Sequence, residues 1–410
     1  MPETPPPGAE SLDPVPAPRV LLAGGGTAGH VNPLLATAAA LRDPALGGRE
    51  ETGILVLGTA EGLEADLVPE AGFDMAVVPR VPMPRRPTGD LFMLPRRLSR
   101  AVGAAGEAIE AVDAQVVVGF GGYVSTPAYL AARRAGVPVV IHEQNARPGL
   151  ANRLGASWAA AVALTFASTP LRSSKGRTEV TGLPLRPAIG ELVARLAEPD
   201  GAAAARRSGA AALGLDPQAP TVLITGGSLG AQRLNEVLAA ALPSLSPDLQ
   251  VLHLTGRDKD GPVRAAVEAA VADGADPGLA ERYHVLDYLV AMEQAYACAD
   301  GVICRSGAGT VAELTALGLP ALYVPLPIGN GEQRLNAADV VAAGGGRLVA
   351  DARLTAADVV DFTALLTRPA ERGAMAAAAA STGVRDGARR LADLIRTVAR
   401  EGCPSPRRKA

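Results

Sequence analysis

The feature that most constrains the fold is the alternation of short apolar runs with longer stretches rich in Ala and Leu. The runs are continuous, which is typical of strands buried on both faces of a parallel sheet, and the stretches between them predict crossover helices. Two such series occur, and they open alike, with VLLAGGGTAGH at 20–30 and VLITGGSLGAQ at 222–232. The sequence therefore predicts an α/β protein with two Rossmann-like domains that face each other across a cleft.

A break rich in Ala, Gly and charged residues separates the two series. We predict a first domain over 19–186 and a second domain over 187–368. C-terminal helices are expected over 369–400, and the last of them is expected to pack back on the first domain. The Pro-rich segment 1–18 cannot bury a core and is predicted to be a disordered tail, and 401–410 is predicted to be a flexible tail.

Composition excludes several classes of function. The 410 residues carry a formal net charge of -3, so the chain lacks the positive field of a general nucleic-acid binder. No apolar run reaches the ~18 residues that span a bilayer. Cys298, Cys304 and Cys403 have no zinc-like spacing, and no Asp-x-Asp metal motif lies near the glycine loops. We therefore expect a reducing cytoplasmic setting, no metal site and no cofactor.

The first glycine loop, LLAGGGTAGHVNP at 21–33, satisfies the G-x-G-x-x-G dinucleotide pattern. That pattern also requires an acidic residue at the tip of the next strand, where it binds the ribose hydroxyls. Here the next strand, ILVLG, ends at Gly58 and Thr59, and Glu61 lies beyond its tip. The sequence thus disfavours an NAD site, while a glycine turn that serves only close strand–helix packing stays open.

His30 gives the same loop a second interpretation. It falls in the first turn of the predicted helix, where the positive end of the helix dipole disfavours imidazolium. A neutral imidazole beside a substrate is what a general base needs, although a packed or solvated histidine is the simpler alternative.

Other polar motifs also follow predicted strands, and in chain order they are GFGGYVS, HEQN, GLPLR, GGSLGAQ, CRSGAGTVAEL and PLPIGNGEQRLNA. Arg186 can present its guanidinium to a diphosphate, and the backbone at Ser228 can bind an anion at a helix N-terminus. Glu313 can accept both hydroxyls of a ribose, and the amides of Gln333 and Asn336 suit sugar hydroxyls because each donates and accepts. Each motif could also be a capped turn or a solvated surface. Together they favour a site for a nucleotide-diphosphate sugar.

In this order, with GGGTAGH at the start, the motifs resemble the MurG family of peptidoglycan glycosyltransferases from about residue 19 to the mid-360s. The resemblance implies a GT-B fold, with lipid I bound by the first domain and UDP-GlcNAc mainly by the second. It implies an inverting transfer of N-acetylglucosamine to the muramoyl C4 hydroxyl of lipid I, giving lipid II. It also implies roles in cell-wall synthesis, cell shape and division, with proteins of those processes as partners.

The resemblance also implies roles for individual residues. His30 matches the proposed general base of the family, and Tyr123 and Glu143 match positions of acceptor contact. The residues expected to contact UDP-GlcNAc come from both domains and are Thr27, Ala28, Gly29, Asn145, Arg186, Ser228, Leu289, Ala308, Gly309, Thr310, Val311, Ala312, Glu313 and Gln333. Departures from the family pattern are small: Ala28 replaces a common Gly, Gly309 replaces a bulkier residue, and Glu332 stands where relatives often have Gln.

A lipid acceptor implies a membrane-binding surface, and the segment RRPTGDLFMLPRRLSR at 85–100 suits one. The residues expected at the membrane combine an apolar centre with arginines and are Leu91, Phe92, Met93, Leu94, Arg96 and Arg97. Apolar insertion with attraction to anionic lipid is the physics of peripheral binding. We therefore expect a peripheral protein on the cytoplasmic face of the cell membrane, although an ordinary helix with a buried apolar side shows the same pattern.

Two rival functions stay open on the sequence alone. The first is another GT-B enzyme, either a glycolipid or natural-product glycosyltransferase or a UDP-GlcNAc 2-epimerase. The second is a non-catalytic NAD-binding or regulatory protein, against which the missing acidic residue at the strand tip argues.

Overall fold

The computed structural model describes residues 17–81, 90–227 and 231–402, and its first half is built on a seven-stranded parallel sheet. The strands of this sheet are β1 (Arg19–Ala23), β2 (Gly53–Gly58), β3 (Asp74–Val77), β4 (Val116–Gly119), β5 (Val139–Glu143), β6 (Ala161–Leu164) and β7 (Arg177–Val180). They lie side by side in the order β3-β2-β1-β4-β5-β6-β7. The predicted parallel sheet of continuous apolar strands is therefore confirmed for the first half.

The helices of the first half are α1 (Ala28–Arg42), α2 (Glu64–Glu70), α3 (Asp90–Ala111), α4 (Ser125–Ala135) and α5 (Leu150–Gly155), with a 3-10 turn at Pro44–Leu46. These helices cover both faces of the sheet, so successive side chains of β1 pack against helices on opposite faces. Val20 and Leu22 pack on the side of α1, whereas Leu21 packs on the side of α3 and α4. Burial on both faces explains why the strand reads as one apolar run.

The second half contains a six-stranded parallel sheet. Its strands are β8 (Thr221–Thr225), β9 (Gln250–Leu254), β10 (Tyr283–Leu286), β11 (Gly301–Cys304), β12 (Ala321–Tyr323) and β13 (Gly346–Leu348), in the order β10-β9-β8-β11-β12-β13. The helices here are α6 (Pro187–Leu196), α7 (Gly201–Leu213), α8 (Gln232–Ala241), α9 (Asp260–Ala272), α10 (Leu279–Arg282), α11 (Met292–Cys298), α12 (Ala308–Leu317), α13 (Glu332–Asn336), α14 (Ala338–Ala342), α15 (Ala356–Leu366) and α16 (Pro369–Ser381). Two 3-10 turns lie at Leu242–Ser244 and Asp351–Arg353.

The last helix, α17 (Gly387–Gly402), returns to the first half of the protein. Its residues Leu391, Ile395 and Val398 are buried in the core that β1 shares with α1. By contrast, α6 packs on the core around the second sheet through Ile189. The chain therefore crosses between the two halves twice. Parts of the predicted tails, at 1–16 and 403–410, lie outside the described residues.

Both sheets place a functional crevice at the same point of their topology. The strand order reverses between β1 and β4 in the first sheet and between β8 and β11 in the second. At such a switch point neighbouring loops leave the sheet in opposite directions and open a crevice at the carboxyl ends of the strands. The loops after these four strands carry the motifs GGGTAGH, GFGGYVS, GGSLGAQ and CRSGAGTVAEL. Within the described residues, no helix has both the length and the apolarity needed to cross a bilayer.

Candidate active site

A cleft of about 800 Å³ lies between the two sheets and is lined by loops from both. The lining residues that the sequence also singled out are Thr27, Ala28, Gly29, His30, Asn145, Arg186, Leu289, Ala308, Gly309, Thr310, Glu313 and Gln333. The fold thus brings together the motifs of the first half and the motifs of the second half around one volume. Ser228 lies outside the described residues, and its expected contact stays a prediction.

His30 is held at the start of α1. Thr27 is the N-cap residue with extended backbone, and its hydroxyl Oγ1 lies 3.0 Å from Nδ1 of the His30 ring. Burial lowers the pKa of His30 below its ordinary value, and the Gly25 carbonyl and the Glu64 charge oppose that effect without cancelling it. The imidazole is therefore neutral at pH 7 and can accept a proton.

The glycine cluster after β4 makes room for this imidazole. Gly121 has a φ of +89°, and a Cβ built on it would lie 3.2 Å from Nε2 of His30. Any larger residue at Gly121 would be strained and would press on the ring. Tyr123, two residues further on, is 39% exposed, and the guanidinium of Arg80 lies 5.6 Å from the centre of its ring. The structure therefore places Tyr123 on the surface beside the loop, outside the lining of the cleft.

Glu143 lies beneath the HEQN loop instead of at the cleft surface. Its side chain is buried, and it accepts hydrogen bonds from the backbone N–H groups of Asn145 and Gly149, both at 3.0 Å, and from Nδ2 of Asn152 at 2.9 Å. Burial is the main cause of its raised pKa. This geometry gives Glu143 a role in shaping the loop that presents Asn145, in place of the expected direct contact with an acceptor.

Asn336 connects this loop to the second half of the protein. It is buried, its Oδ1 accepts from the Ala146 N–H at 2.8 Å, and its Nδ2 donates to Asn145 Oδ1 and to the Ser306 carbonyl, both at 3.3 Å. On the sequence this asparagine belonged to a group of amides suited to sugar hydroxyls. The structure instead uses all of its side-chain atoms to join the two halves beside the cleft.

The residues expected at the ribose and at the diphosphate bond to each other. Arg186 Nε donates to Glu313 Oε1 at 2.9 Å, and the Tyr296 hydroxyl donates to Glu313 Oε2 at 3.0 Å. Among the described residues, no further hydrogen bond uses the carboxylate oxygens of Glu313 or the terminal amino groups of Arg186, so the first can accept from a ribose hydroxyl and the second can bind a phosphate. The pair therefore fixes the geometry of both groups without using up their binding capacity.

Of the residues expected at the donor at the start of α12, some line the cleft and others face the core. Ala308, Gly309 and Thr310 form the first turn of the helix, where backbone N–H groups have no helical partner and can bind an anion. Val311 and Ala312 are 1% and 7% exposed, and their side chains pack in the core of the second half. The expected contact of these two residues with UDP-GlcNAc is thus not provided by their side chains.

Leu289 and Gln333 complete the second-half lining. Leu289 lies on the loop after β10, and Gln333 accepts a hydrogen bond from the Leu326 N–H at 2.9 Å through Oε1. That bond leaves the amide nitrogen of Gln333 free to donate to a sugar oxygen. Within the part of the chain that the structure describes, no group of three or more His, Cys, Asp or Glu side chains is placed to hold a metal ion.

The two parallel sheets have matching strand orders, and helices that follow glycine-rich loops face one cleft between them. This architecture defines a protein of the GT-B class. Residues 20–164 match the N-terminal domain of glycosyltransferase family 28, and residues 221–391 match its C-terminal domain. The chain therefore belongs to glycosyltransferase family 28. The predicted α/β GT-B fold is confirmed.

Relatives and solved structures agree with this assignment. A protein from Bifidobacterium longum (strain DJO10A), named UDP-N-acetylglucosamine--N-acetylmuramyl-(pentapeptide) pyrophosphoryl-undecaprenol N-acetylglucosamine transferase, is 52% identical over 346 residues, or 82% of this chain and 86% of that protein. The crystal structure of Acinetobacter baumannii MurG matches with a TM-score of 0.70 at 28% identity, over 93% of this chain and 99% of that one. A UDP-GlcNAc 2-epimerase from Neisseria meningitidis matches with a TM-score of 0.64 at 15% identity, over 93% and 100% of the two chains, and shows the fold alone.

Proposed function

We propose that this chain transfers N-acetylglucosamine from UDP-GlcNAc to the muramoyl C4 hydroxyl of lipid I, giving lipid II. The name of the 52% identical relative contains this donor sugar and an N-acetylmuramyl pyrophosphoryl-undecaprenol acceptor. The observation in this chain that best supports the proposal is the position of the His30 imidazole, because it lines the same cleft as the Arg186–Glu313 pair and the start of α12. A base and an anion site in one cleft are the parts that glycosyl transfer from a nucleotide sugar requires.

The donor is proposed to lie against the second half. Glu313 binds the ribose hydroxyls, Arg186 and the N–H groups that begin α12 bind the diphosphate, and Gln333 binds the sugar. Leu289 is proposed to lie beside the uracil of UDP-GlcNAc. These assignments follow the geometry described above, in which each group keeps an unused donor or acceptor toward the cleft.

The reaction is proposed to be a direct displacement with inversion. His30 takes the proton of the C4 hydroxyl while that oxygen bonds to C1 of the donor sugar, and the bond from C1 to the diphosphate breaks as UDP leaves. Arg186 and the helix N-terminus stabilise the negative charge that develops on the leaving diphosphate.

The deciding experiment follows UDP release and product formation with UDP-GlcNAc and a lipid I analogue. We expect UDP release to depend on the analogue and one disaccharide product to form. Faster release with another lipid or with a natural-product acceptor would contradict the proposal, as would conversion of UDP-GlcNAc to its 2-epimer without an acceptor. A thermal shift with NAD but not with UDP-GlcNAc would favour the non-catalytic alternative.

We also propose that the chain binds the cytoplasmic face of the membrane through the start of α3. Met93 is 46% exposed, Arg96 is exposed, and Leu94 and Arg97 are half-buried. The side chains of the neighbouring pair at 91–92 lie outside the described residues. An exposed thioether next to arginine suits insertion at an anionic surface. Cell-wall synthesis and division proteins stay predicted partners.

Membrane binding is expected to depend on this surface. Changing Met93→Asp together with Arg96→Glu should lower binding to anionic liposomes by about tenfold, because an inserted side chain is lost and a favourable charge is reversed. Arg207→Glu, at an exposed position of α7, is the control for charge and should bind like the wild type. Cosedimentation of the double variant equal to that of the wild type would remove this surface from the proposal.

A further inference from the structure

The buried carboxylate of Glu64 lies directly under the first glycine loop. Glu64 is the first residue of α2, and its side chain has no exposed surface. Its Oε1 accepts from the Thr59 N–H at 3.0 Å and from the Thr59 hydroxyl at 2.7 Å, and its Oε2 accepts from the Gly26 N–H at 2.8 Å. One side chain therefore joins α2, the tip of β2 and the loop that follows β1.

The surrounding glycines leave the space that this carboxylate fills. A Cβ on Gly25 would lie 2.3 Å from Glu64 Oε1, and one on Gly62 would lie 2.1 Å from Oε2. A Cβ on Gly58 would lie 2.7 Å from the Glu64 Cγ. Gly25 of the first glycine loop, Gly58 and Gly62 therefore together admit an acidic side chain from the next helix.

Glu64 is ionised despite its burial. Burial alone would raise the pKa of this carboxyl, but the hydrogen bonds from Gly26 and Thr59 outweigh it, and the pKa is lowered. Removing the buried carboxylate while its hydrogen-bond donors stay is costly, because the buried donors then lose their partner. The charge also acts on His30, where it favours the protonated ring.

The contact reaches the His30 ring through two residues. Gly26, whose N–H the carboxylate holds, has a φ of +86° and directly precedes Thr27. Thr27 is the N-cap residue of α1, and its hydroxyl lies 3.0 Å from Nδ1 of the His30 ring. The position of the Gly25–Gly26 peptide therefore determines where the N-cap and the imidazole lie.

We propose that Glu64 is a positioning residue for proton transfer by His30: its carboxylate fixes the Gly25–Gly26 peptide and, through Thr27, the imidazole in the cleft. This role rests on the proposed glycosyl transfer. Glu64 touches neither substrate, and it acts only through the loop and through its charge. It also stands near the point where a dinucleotide-binding protein would place its ribose-binding acid, but here that acid is turned toward its own glycine loop.

The test compares Glu64→Gln with Glu70→Gln, an exposed position at the other end of α2. Glu64→Gln is expected to lower kcat by about 10- to 100-fold, because the amide meets one backbone N–H donor with another donor. The KM for UDP-GlcNAc should stay within about twofold, since the contacts proposed for the ribose and the diphosphate come from Arg186, Glu313 and α12 and not from the first glycine loop. The pKa of His30, followed by NMR, should fall because a nearby negative charge is removed. Glu70→Gln should match the wild type in each measurement.

A milder variant keeps the proposal testable if Glu64→Gln fails to fold. Thr59→Val removes only the hydroxyl donor from Glu64 and is expected to lower kcat by about 3- to 10-fold with unchanged KM for the donor. A folded Glu64→Gln variant with wild-type kcat, or with an unchanged pKa of His30, would overturn the proposal. The NMR measurement needs no turnover, so it judges the role of Glu64 even if the wild type fails to act on lipid I, a failure that would count against the proposed function alone.

Discussion

Replacing His30 with alanine is expected to lower kcat for lipid I by about a thousandfold, because the reaction then lacks a group that takes the hydroxyl proton in the transition state. The affinity for UDP-GlcNAc should change by less than about threefold, since the proposed nucleotide contacts come from Arg186, Glu313 and α12. Steady-state kinetics with a lipid I analogue and calorimetry with UDP-GlcNAc measure the two effects separately.

The pH dependence of wild-type activity tests the role of His30 in a second way. Because burial holds the pKa of His30 below its ordinary 6.5, the base form predominates at pH 7. Activity should therefore fall only below pH 6.5, as the folded imidazole gains a proton. In the His30→Ala variant this acidic limb should be absent.

His284→Gln supplies the matched control. His284 lies on β10, is half-buried and does not line the cleft, and burial lowers the pKa of its ring as well. This variant should keep wild-type kcat and the wild-type acidic limb. If His30→Ala retained near wild-type turnover, His30 would not be the base and the proposed mechanism would need another proton acceptor.

Acidification from pH 7 to pH 5 is expected to lower the free energy of unfolding by about 4 kcal/mol through two buried histidines alone. Burial lowers the pKa of His142 to about 4 and that of His253 to about 3. The unfolded chain binds a proton on each near pH 6.5, while the folded protein does not. Their contribution to stability is therefore present above pH 6.5 and is lost as the pH falls through 6.5 toward the folded pKa values.

The hydrogen bonds explain why both rings resist protonation. His142 Nε2 lies 3.0 Å from the Gly182 carbonyl, which can only accept, and its Nδ1 lies 3.1 Å from the amide nitrogen of Gln144, which can only donate. His253 is placed between the Asn235 carbonyl oxygen at 3.1 Å and the Tyr283 hydroxyl at 2.9 Å in the same way. In His142, a second ring proton would point at the amide donor of Gln144. In His253, a second ring proton would force the Tyr283 hydroxyl to rotate so that its oxygen accepts.

Denaturant unfolding at pH 7, 6 and 5 measures this loss. His253→Gln removes one of the two titrations, so its stability should depend on pH by about 2 kcal/mol less than that of the wild type over this interval. Burial raises the pKa of Glu143, which acts in the opposite direction, and the comparison of variant with wild type cancels that effect. Equal pH slopes for the two proteins would contradict the assignment.

The fold was predictable because it follows from a periodic pattern. Continuous apolar strands alternating with helices admit few arrangements, and the repeated strand–glycine–helix openings indicated two sheets of one kind. His30 was also predictable, because its place in the first helical turn follows from the glycines before it. Val311 and Ala312 were expected at the donor because the resemblance covers the whole turn from Ala308 to Glu313. The sequence does not show that the side chains of these two residues face the core.

Other functional residues gave only a weak signal in the sequence. Glu64 lies beyond the strand tip that ends at Gly58, so a search for an acid at the tip itself passes over it. Asn336 was visible only as one amide among several. In each case the decisive information is a hydrogen bond to a loop elsewhere in the chain.

Patterns in the amino-acid sequence were enough to predict the two parallel sheets, the order of the loops along their edges, the family and the position of His30. These follow from local periodicity, and from motifs whose spacing is fixed by one strand, one turn and one helix. Which side chains meet became visible in the three-dimensional structure: Arg186 bonds to Glu313, 127 positions away, and Asn336 bonds to the Ala146 N–H, 190 positions away. Such pairs depend on how two sheets and the loops at their switch points pack together, and separation along the chain carries no information about that distance.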